Sequence, residues 1–379
     1  EYAKNGGHKY LLRNQGDGKF EDVTKQAGIT STRWTLGVAA ADLRGTGFPD
    51  LVLANDYGVS EFYANQDGEH FQEVGYETGI GVAPKSGMSI SFGDVLNQGQ
   101  LAIYISNITE PGNLVQGNNL WIPTGKTASG LPRYLNQAGA VNVERGGWSW
   151  GAKFGDLNND GRLDLYLTNG YVSAEKGKSY WYDYGKIAGG LKGLIGDAAY
   201  WPPIGDQSLA GFQPKCVWLN KGGTFTDVAA AVGVSDTYDG RAVALGDLFN
   251  RGLLDVVVAN QQGPLLLYRN TVAPGRDWVQ FELTGGARSG HEQGLSNRSA
   301  IGAEVRLSWK NGSDGTLQEQ SQVVMAGDGF ASLSMFRLHF GLGENAQIEQ
   351  ALIKWPSGKT QTLTAPKTGI IHQIEELAP

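Results

Sequence analysis

The sequence predicts an all-β protein in which a β-propeller is followed by a small β-domain. One type of segment recurs four times without gaps, and its copies span residues 37–55, 89–107, 151–169 and 242–260. Short apolar runs joined by glycine-containing turns lie between the copies, and such runs are typical of β-hairpins. Glycine accounts for 56 of the 379 residues without a Gly-X-Y period, which indicates tight turns and excludes a collagen helix.

Each copy contains an Asp, then a polar loop, then an apolar strand that ends in Asn at the same separation. The paired residues are Asp42 and Asn55, Asp94 and Asn107, Asp156 and Asn169, and Asp247 and Asn260. Hairpin patterns are found at Tyr10–Val23, Glu61–Val74 and Val217–Val228, and Leu265–Asn270 begins another. A strand, a loop, a strand and a hairpin together make about four strands, which is one propeller blade. An open sandwich of similar strands is the alternative.

The third loop, at residues 156–164, has the oxygen-rich spacing of a calcium site. Oxygen-bearing side chains stand at loop positions 1, 3, 5 and 9, a backbone carbonyl is available at position 7, and Gly161 at position 6 permits a sharp turn. The predicted ligands are Asp156, Asn158, Asp160, Arg162 (through its carbonyl) and Asp164. An EF-hand is excluded because position 12 is Leu167 and an apolar strand follows. The alternative is an Asx-rich turn without a metal.

The other three loops are weaker calcium candidates, so the sequence predicts one bound Ca²⁺. The first and fourth loops keep acidic residues at positions 1 and 9, namely Asp42, Asp50, Asp247 and Asp255. Arg44 replaces the position-3 ligand of the first loop, and Arg251 stands at position 5 of the fourth. The Arg251 guanidinium is expected to bridge both carboxylates in place of an ion. The second loop keeps only Asp94 at these positions.

Two sets of motifs resemble known families. The pattern FGDLNNDGRLDL at Phe154–Leu165 is similar to FG-GAP/VCBS repeats. The C-terminal segments that resemble the ASPIC/UnbV domain are Asn297–Leu307, Gly327–Phe330, His339–Gly343 and Trp355–Gly358. Together they resemble the CRTAC1-like family (cartilage acidic protein 1).

The resemblance implies a propeller, often seven-bladed, with calcium in the loops between strands, in an extracellular or periplasmic protein. The sequence departs from that pattern because three of its four loops are eroded. It also has only four full repeats and a leading half-repeat. Either the propeller closes with fewer blades or N-terminal blades are missing, and the second is favoured because the chain starts inside a repeat. The chain opens at Glu1 without Met or a signal peptide, which predicts a processed or excised chain.

The predicted domain boundary follows the fourth repeat. Residues 1–271 are expected to form the propeller blades and residues 272–379 the ASPIC/UnbV-like β-domain. Strands are expected there at 278–284, 301–309, 320–326, 350–355 and 369–375. Trp355–Gly358 is predicted to be a hairpin turn. His339 lies in an apolar stretch and is interpreted as a core residue with satisfied hydrogen bonds.

Residues 171–215 interrupt the third repeat as a long insertion rich in aromatic residues. Its candidate ligand-binding residues are Tyr180, Trp181, Tyr182, Tyr184, Tyr200 and Trp201. Clustered Tyr and Trp suit stacking on a sugar or on a protein surface. The alternative is that these rings form a small core under the insertion. A partial helix at residues 186–199 is compatible with either.

Composition limits the classes of partner. The net charge is −7 and the sequence has no basic cluster, so a nucleic-acid partner is not expected. No apolar run approaches the ~18 residues of a membrane span, so no membrane insertion is expected. Cys216 is the single cysteine, which excludes an intrachain disulfide. The expected location is secreted or periplasmic.

Two functions remain open at the level of sequence. The first is an extracytoplasmic calcium-binding propeller that acts as a binding or adhesion module for a glycan or protein partner. The second is an enzyme that acts on a small molecule or glycan at the mouth of the propeller channel, in a UnbV-like biosynthetic role. Its weak catalytic candidates are Asp236, Asp239 and Arg241, which alternatively form a solvated turn. No catalytic motif is present, so the binding module is favoured.

Overall fold

The computed structural model describes residues 2–190, 198–272, 275–287 and 294–377. The protein is all-β, as predicted. Four antiparallel sheets follow one another along the chain, and two further sheets form the C-terminal domain. The described residues do not show a closed ring of blades.

The chain begins with a hairpin and the first blade. The hairpin pairs β1 (Leu12–Gly16) with β2 (Lys19–Asp22). The first blade has the strand order β3-β4-β5-β6. Its strands are β3 (Trp34–Ala41), β4 (Asp50–Asp56), β5 (Glu61–Asn65) and β6 (Phe71–Glu73), and the short helix α1 (Gly75–Thr78) follows.

The second blade contains a hairpin that the sequence did not predict. Its strands are β7 (Ile90–Gly93), β8 (Ala102–Ile105), the short pair β9 (Thr109–Glu110) and β10 (Leu114–Val115), then β11 (Asn119–Lys126) and β12 (Pro132–Asn136). The strands β7, β8, β11 and β12 form the blade, and β9 pairs with β10 in a separate two-stranded sheet. The hairpin β11–β12 was missed because it lacks the Asn-and-glycine turn pattern of the others.

The third blade carries the insertion between its second and third strands. In chain order the elements are β13 (Ser149–Gly155), β14 (Asp164–Asn169), β15 (Glu175–Ser179), α2 (Tyr180–Gly190), a 3₁₀ turn (Ala198–Tyr200), β16 (Gln207–Ser208), β17 (Cys216–Asn220) and β18 (Phe225–Asp227). The blade order is β13-β14-β17-β18, and β15 pairs with β16 inside the insertion. The partial helix expected at 186–199 begins earlier, at Tyr180, and its segment 191–197 lies outside the described residues.

The fourth blade has three strands in the order β19-β20-β21. They are β19 (Gly240–Gly246), β20 (Asp255–Asn260) and β21 (Leu266–Tyr268). The fourth hairpin pattern therefore ends after one strand, and the chain then enters the C-terminal domain.

In three of the four repeats, the Asn that ends the repeat holds the turn into the third strand of its blade. The side-chain amide of Asn55 donates to the carbonyl of Val59 at 2.8 Å, and Asn260 donates to Pro264 at 2.8 Å. Asn169 makes the same contact with Pro214 at 2.8 Å, although 45 residues separate the two. The insertion therefore leaves and re-enters the blade at the position of an ordinary tight turn.

The hydrophobic core lies between adjacent blades. Val52 and Phe62 of the first blade pack with Ile90 and Ile103 of the second. Equivalent clusters join the second blade to the third and the third to the fourth. The blades approach closely at glycines, since a Cβ added to Gly93 would lie 2.9 Å from the Phe154 ring of the next blade. This contact is a physical reason for the Phe-Gly pair in the repeat.

The C-terminal domain is a two-sheet sandwich. Its strands are β22 (Asp277–Thr284), β23 (Glu304–Lys310), β24 (Leu317–Val323), β25 (Leu338–Gly343), β26 (Gln347–Lys354), β27 (Thr360–Thr364) and β28 (Ile371–Glu375). The sheets have the orders β25-β22-β28 and β24-β23-β26-β27, around a core that includes Phe281, Trp309 and Phe340. The strands β25 and β27 were not predicted. Trp355–Gly358 forms the expected turn, between β26 and β27.

A segment of the C-terminal domain, residues 326–337, runs along the innermost strands of the blades; we call it the arm. Gly329 donates a backbone hydrogen bond to Ile90 of the second blade, and Ser332 and Met335 bond to Val243 and Leu245 of the fourth. The arm therefore covers the inner edge of the blades, where a channel mouth was expected.

The arm is held to the third blade by a buried ion pair. The Lys153 ammonium on β13 lies 2.5 Å from the Asp328 carboxylate and donates to the Asp328 carbonyl at 2.9 Å. The Lys153 side chain is almost completely buried.

Within the described residues, no helix is both long and apolar enough to cross a membrane.

Candidate functional site

The Asp-containing loops of the four blades share one backbone conformation. In the third loop, Asp156 accepts the backbone N–H of Asp160 at 3.1 Å and that of Gly161 at 2.7 Å. The same two contacts, to positions 5 and 6, are made by Asp42 to Thr46 and Gly47, by Asp94 to Gln98 and Gly99, and by Asp247 to Arg251 and Gly252. The Asx-turn geometry is thus common to loops that keep the calcium pattern and loops that have lost it.

Two residues of each loop adopt the left-handed backbone conformation. In the third loop they are Asn159 at position 4 (φ 56°) and Gly161 at position 6 (φ 85°). Asn tolerates this conformation and glycine adopts it without strain. The Asn159 side-chain amide also donates to the Gly252 carbonyl of the fourth loop at 2.8 Å, and Asn97 donates to Gly161 at 2.7 Å. The second, third and fourth loops are therefore linked in series.

The Asp at position 9 joins the loop to the third strand of its blade. Asp164 accepts the backbone N–H of Asn220 at 2.9 Å and that of Leu157 at 3.0 Å. The Asn220 side chain in turn donates to the carbonyl of Val95 in the preceding loop at 2.9 Å. Asn65 ends the third strand of the first blade, and Asn270 lies two residues after that of the fourth blade; their backbone N–H groups donate to Asp50 and Asp255 in the same way. The sequence signal for this contact is the Asn that precedes the turn in the hairpin patterns.

The loops differ in what neutralises the position-9 carboxylate. In the first loop the Arg44 Nε lies 2.8 Å from Asp50, and in the fourth the Arg251 Nη2 lies 2.8 Å from Asp255. Arg44 also donates to the Asn65 carbonyl, and Arg251 donates to the Asn270 carbonyl. The two arginines make equivalent contacts although they occupy different loop positions, 3 and 5. Among the described residues, Asp164 in the third loop has no such salt bridge.

The expected role of Arg251 needs a correction. Its guanidinium contacts Asp255 but does not bridge to Asp247. The Asp247 carboxylate accepts backbone N–H groups of its own loop, and its Oδ2 also accepts the Gln280 amide at 3.1 Å. The position-1 carboxylate is occupied by the loop backbone, which leaves the position-9 carboxylate as the partner for a cation.

Negative charge is poorly compensated in the third loop. Burial raises the pKa of the Asp156 carboxyl to about 7, and repulsion from Asp160 adds to that increase. Burial, followed by repulsion from Asp156, raises the pKa of Asp164 well above its usual value. Two exposed cations contact the loop: Arg162 lies 3.6 Å from the Asp160 Oδ2, and Arg276 donates to the Asn158 carbonyl at 2.8 Å. No group of three His, Cys, Asp or Glu side chains converges as a metal site in the part of the chain that the structure describes.

The C-terminal domain covers the third loop. The His339 Nε2 lies 2.8 Å from the Asn159 Oδ1, and Gly343 donates its backbone N–H to the Asn159 carbonyl at 2.9 Å. The other His339 ring nitrogen lies 3.0 Å from the Gln280 amide, and burial lowers the pKa of His339 to about 4. His339 is a buried residue with satisfied hydrogen bonds, as expected, but it belongs to the interface between the domains.

The aromatic insertion contains both packed and exposed rings. Tyr180 is buried and donates its hydroxyl to the Pro202 carbonyl at 2.8 Å. Trp181 packs against Trp148 and Tyr184, and Tyr184 packs edge-on against Trp201 at 5.4 Å between ring centroids. The exposed rings are Tyr182, Tyr200 and Trp201, at 72%, 55% and 40% of full exposure. Part of the insertion is therefore a small packed core, and three of the candidate rings remain exposed.

The three weak catalytic candidates lie where the insertion meets the fourth blade. Asp239 accepts the backbone N–H and the hydroxyl of Ser173 at 2.6 and 2.8 Å. The Asp236 carboxylate lies 3.0 Å from the buried Lys215 ammonium and accepts the Tyr268 hydroxyl at 2.6 Å.

The third candidate, Arg241, anchors the base of the insertion. Its guanidinium lies 4.3 Å from the centre of the Trp150 ring and donates to the carbonyls of Gly170 and Tyr171. All three candidates therefore have structural partners among the described residues.

Comparisons with known proteins match both ends of the chain. Residues 293–378 match the family model described as ASPIC and UnbV, and residues 2–53 match the FG-GAP-like repeat model. These matches confirm the two resemblances predicted from the sequence motifs.

The two curated relatives described here are both named cartilage acidic protein 1. Cartilage acidic protein 1 of Xenopus tropicalis is 27% identical over 256 residues, which is 62% of this chain and 33% of that protein. The human protein of that name is 27% identical over 45% of this chain and 25% of its own length. The matched region thus spans about a third or less of these relatives.

One solved structure is similar over most of both chains. It is the crystal structure of the BP39L lectin from Burkholderia pseudomallei, with 10% identity and a TM-score of 0.37 over 96% of this chain and 93% of that chain. A TM-score this low establishes neither a shared fold nor a shared ligand.

Proposed function

We propose that the chain is an extracytoplasmic, calcium-stabilised binding module whose insertion at residues 171–215 faces a glycan or protein partner. The FG-GAP-like and ASPIC/UnbV matches are compatible with a binding module in general. The name of the curated relatives refers to cartilage, which supports an extracytoplasmic setting.

One observation carries the calcium part of this proposal. The first and fourth loops have the same backbone conformation as the third and place a guanidinium against the position-9 carboxylate. In the fourth loop this guanidinium belongs to Arg251 at position 5, where the third loop has the carboxylate of Asp160. A loop that exchanges its cationic side chain for an anionic one must gain another cation or take up protons. Carboxylate, amide and carbonyl oxygens are the ligands that Ca²⁺ prefers.

The donor set of the third loop fits this ion. Asp156, Asn158, Asp160 and Asp164 supply side-chain oxygens, and Arg162 supplies a carbonyl. The bound ion would neutralise the excess negative charge of the loop. Because Asn159 and the C-terminal domain are in contact, a stabilised loop would also secure that domain on the blades.

The binding part of the proposal rests on the structural contacts of the candidate site residues. Asp236, Asp239 and Arg241 hold the insertion to the fourth blade, so they support its position. Three rings of the insertion remain exposed on this support: Tyr182, Tyr200 and Trp201. Exposed aromatic rings on a rigid base suit stacking against a sugar or a protein surface.

Calorimetric melting in excess Ca²⁺ and in chelator tests the calcium site. We expect Ca²⁺ to raise the melting temperature, because a ligand that binds only the folded state stabilises it by mass action. Asp160→Asn should remove most of that response. Asp67→Asn is the matched control, since Asp67 also accepts backbone N–H groups in an exposed turn but lies outside the four loops. Equal melting with and without the ion would disprove the site.

A further inference from the structure

A groove of about 470 Å³ lies between the insertion and the fourth blade. The insertion contributes Ser173, Lys176 and Phe212 to its walls. The segment before β19 contributes residues 235–239, and the turn after β20 contributes Gln261 and Gln262. The volume is in the range of small-ligand sites in proteins, roughly 300–1,000 Å³.

Hydrogen bonds and an ion pair connect the three segments that line the groove. Asp239 holds Ser173 of the insertion through two hydrogen bonds, and its carbonyl accepts the Gln261 backbone N–H at 2.8 Å. Arg241 donates to the Gln261 side-chain oxygen as well as to the insertion. Lys215 contacts both the Asp236 carboxylate and the Tyr238 carbonyl. The buried charged residues thus hold the groove in shape before any ligand arrives, which reduces the entropy lost on binding.

The charges around the groove compensate one another. The Asp236 carboxylate is paired with Lys215, and the charges of Asp239 and Arg241 attract each other. Lys176 is exposed and lies 5.2 Å from the centre of the Phe212 ring. A phosphate or carboxylate ligand would find no cluster of cations here, and a cationic ligand would find no unpaired carboxylate among the described lining residues. This balance favours an uncharged ligand.

The rim of the groove is polar, with one exposed ring. Ser235 and Thr237 supply hydroxyls, Gln261 and Gln262 supply amides, and all four residues are exposed. The Tyr238 ring is 47% exposed and lines the same groove. Short-range donors and acceptors beside one aromatic face match a molecule that has many hydroxyls and apolar C–H faces.

We infer that this groove binds a neutral saccharide, with Tyr238 as the stacking platform. The inference rests on the proposed binding function and names its ligand class and position. A protein partner is less suited, because interface cores are depleted of charged groups and require a larger apolar area than the Tyr238 and Phe212 rings provide.

Titration calorimetry with four neutral saccharides tests the inference: cellotriose, maltotriose, triacetylchitotriose and lactose. We expect at least one to bind the intact chain in calcium. Tyr238→Ala should weaken that binding by about tenfold, because it removes the stacking face. Thr237→Val removes a hydroxyl while it preserves shape, and should weaken binding by a few fold. Tyr76→Ala is the matched control, since Tyr76 is 80% exposed on helix α1, outside the groove lining.

The outcomes separate this inference from the proposed function. If no saccharide binds, or if Tyr238→Ala and Thr237→Val bind as well as the unmodified chain, the groove assignment is wrong. If binding is instead lost in Trp201→Ala, the glycan lies on the exposed rings of the insertion, and the proposed function survives without the groove. Failure of the calcium response, with saccharide binding intact at Tyr238, would refute only the calcium part of the proposed function.

Discussion

The third and fourth loops fold in the same way but differ in the charge that lies beside their position-9 carboxylates. Each places its position-1 Asp on the backbone N–H groups of positions 5 and 6, with glycine at position 6. The fourth loop then brings Arg251 to the position-9 carboxylate, whereas the third has Asp160 at the equivalent position. The turn is therefore determined by local hydrogen bonds, whereas the presence of a cation beside the position-9 carboxylate of the fourth loop depends on one side chain, Arg251.

Exchanging the position-5 residue of the fourth loop is expected to have the largest effect. Arg251→Asp leaves the buried Asp255 without its cation and should cost about 3–5 kcal/mol of unfolding free energy. The double variant with Phe249→Asn completes the oxygen pattern of the third loop and should recover part of the loss in Ca²⁺. Denaturant unfolding with and without the ion measures both changes. If the double variant does not respond to Ca²⁺, the loop pattern alone does not create a site.

The reciprocal exchange in the third loop should remove the calcium effect. Asp160→Arg places a guanidinium where Arg251 lies in the fourth loop, so the chain should be equally stable in Ca²⁺ and in chelator. The response lost is about 2.7 kcal/mol when the ion is at a hundred times its dissociation constant. A persistent response in this variant would show that calcium binds elsewhere.

The Asn at loop position 4 has different contacts in the third and fourth loops, because the third loop is linked to the loops on both sides and the fourth is the last loop in the series. Asn159→Ala removes hydrogen bonds to Gly252 and His339 and should cost about 2 kcal/mol. Asn250 also has a left-handed backbone (φ 50°) but is exposed at the end of the series. Asn250→Ala should therefore cost less, through backbone strain alone. Equal losses in the two variants would argue against the link between loops.

Per pH unit, the change of stability with pH in chelator should be smaller than each of the effects above. The folded-state pKa of Asp156, about 7, is raised above its unfolded value of about 4, so the folded state binds the proton more tightly. Its stabilising contribution is complete below pH 4 and is lost as pH rises to about 7, by at most about 1.4 kcal/mol per pH unit. Unfolding curves in chelator between pH 4 and 7 measure the slope, which Asp156→Asn should reduce. A slope that is unchanged in this variant would contradict the assignment to Asp156.

The parts of the fold that were predictable are those built from contacts within one repeat. The position-1 Asp accepts backbone N–H groups four and five residues later, and the position-6 glycine supplies one of them, so their spacing is visible in the sequence. The strand β25 was not predicted, because its Gly-rich segment HFGLG lacks the alternation of a half-buried strand. Its glycines reflect contact with the third loop, since a Cβ at Gly341 would lie 2.1 Å from an Asp156 oxygen.

The candidate site was only partly predictable for the same reason. The aromatic composition of the insertion was evident, but which rings are packed and which are exposed depends on Trp148 and on the closing contact between Asn169 and Pro214. The roles of Asp236, Asp239 and Arg241 depend on partners such as Lys215, Ser173 and Trp150. These partners lie on other blades or in the insertion, and no spacing along the chain places them together.

The sequence by itself determined the repeat, the all-β class, the turn geometry of four loops and the family resemblance of the C-terminal domain, because these follow from short-range hydrogen bonding and alternation. Only the tertiary structure decided that the arm covers the inner strands, that Lys153 is buried against Asp328, and that the C-terminal domain is in contact with the third loop. These features join residues 89 or more positions apart. Burial and charge compensation at such contacts depend on how the chain packs, and this information is not present in local sequence patterns.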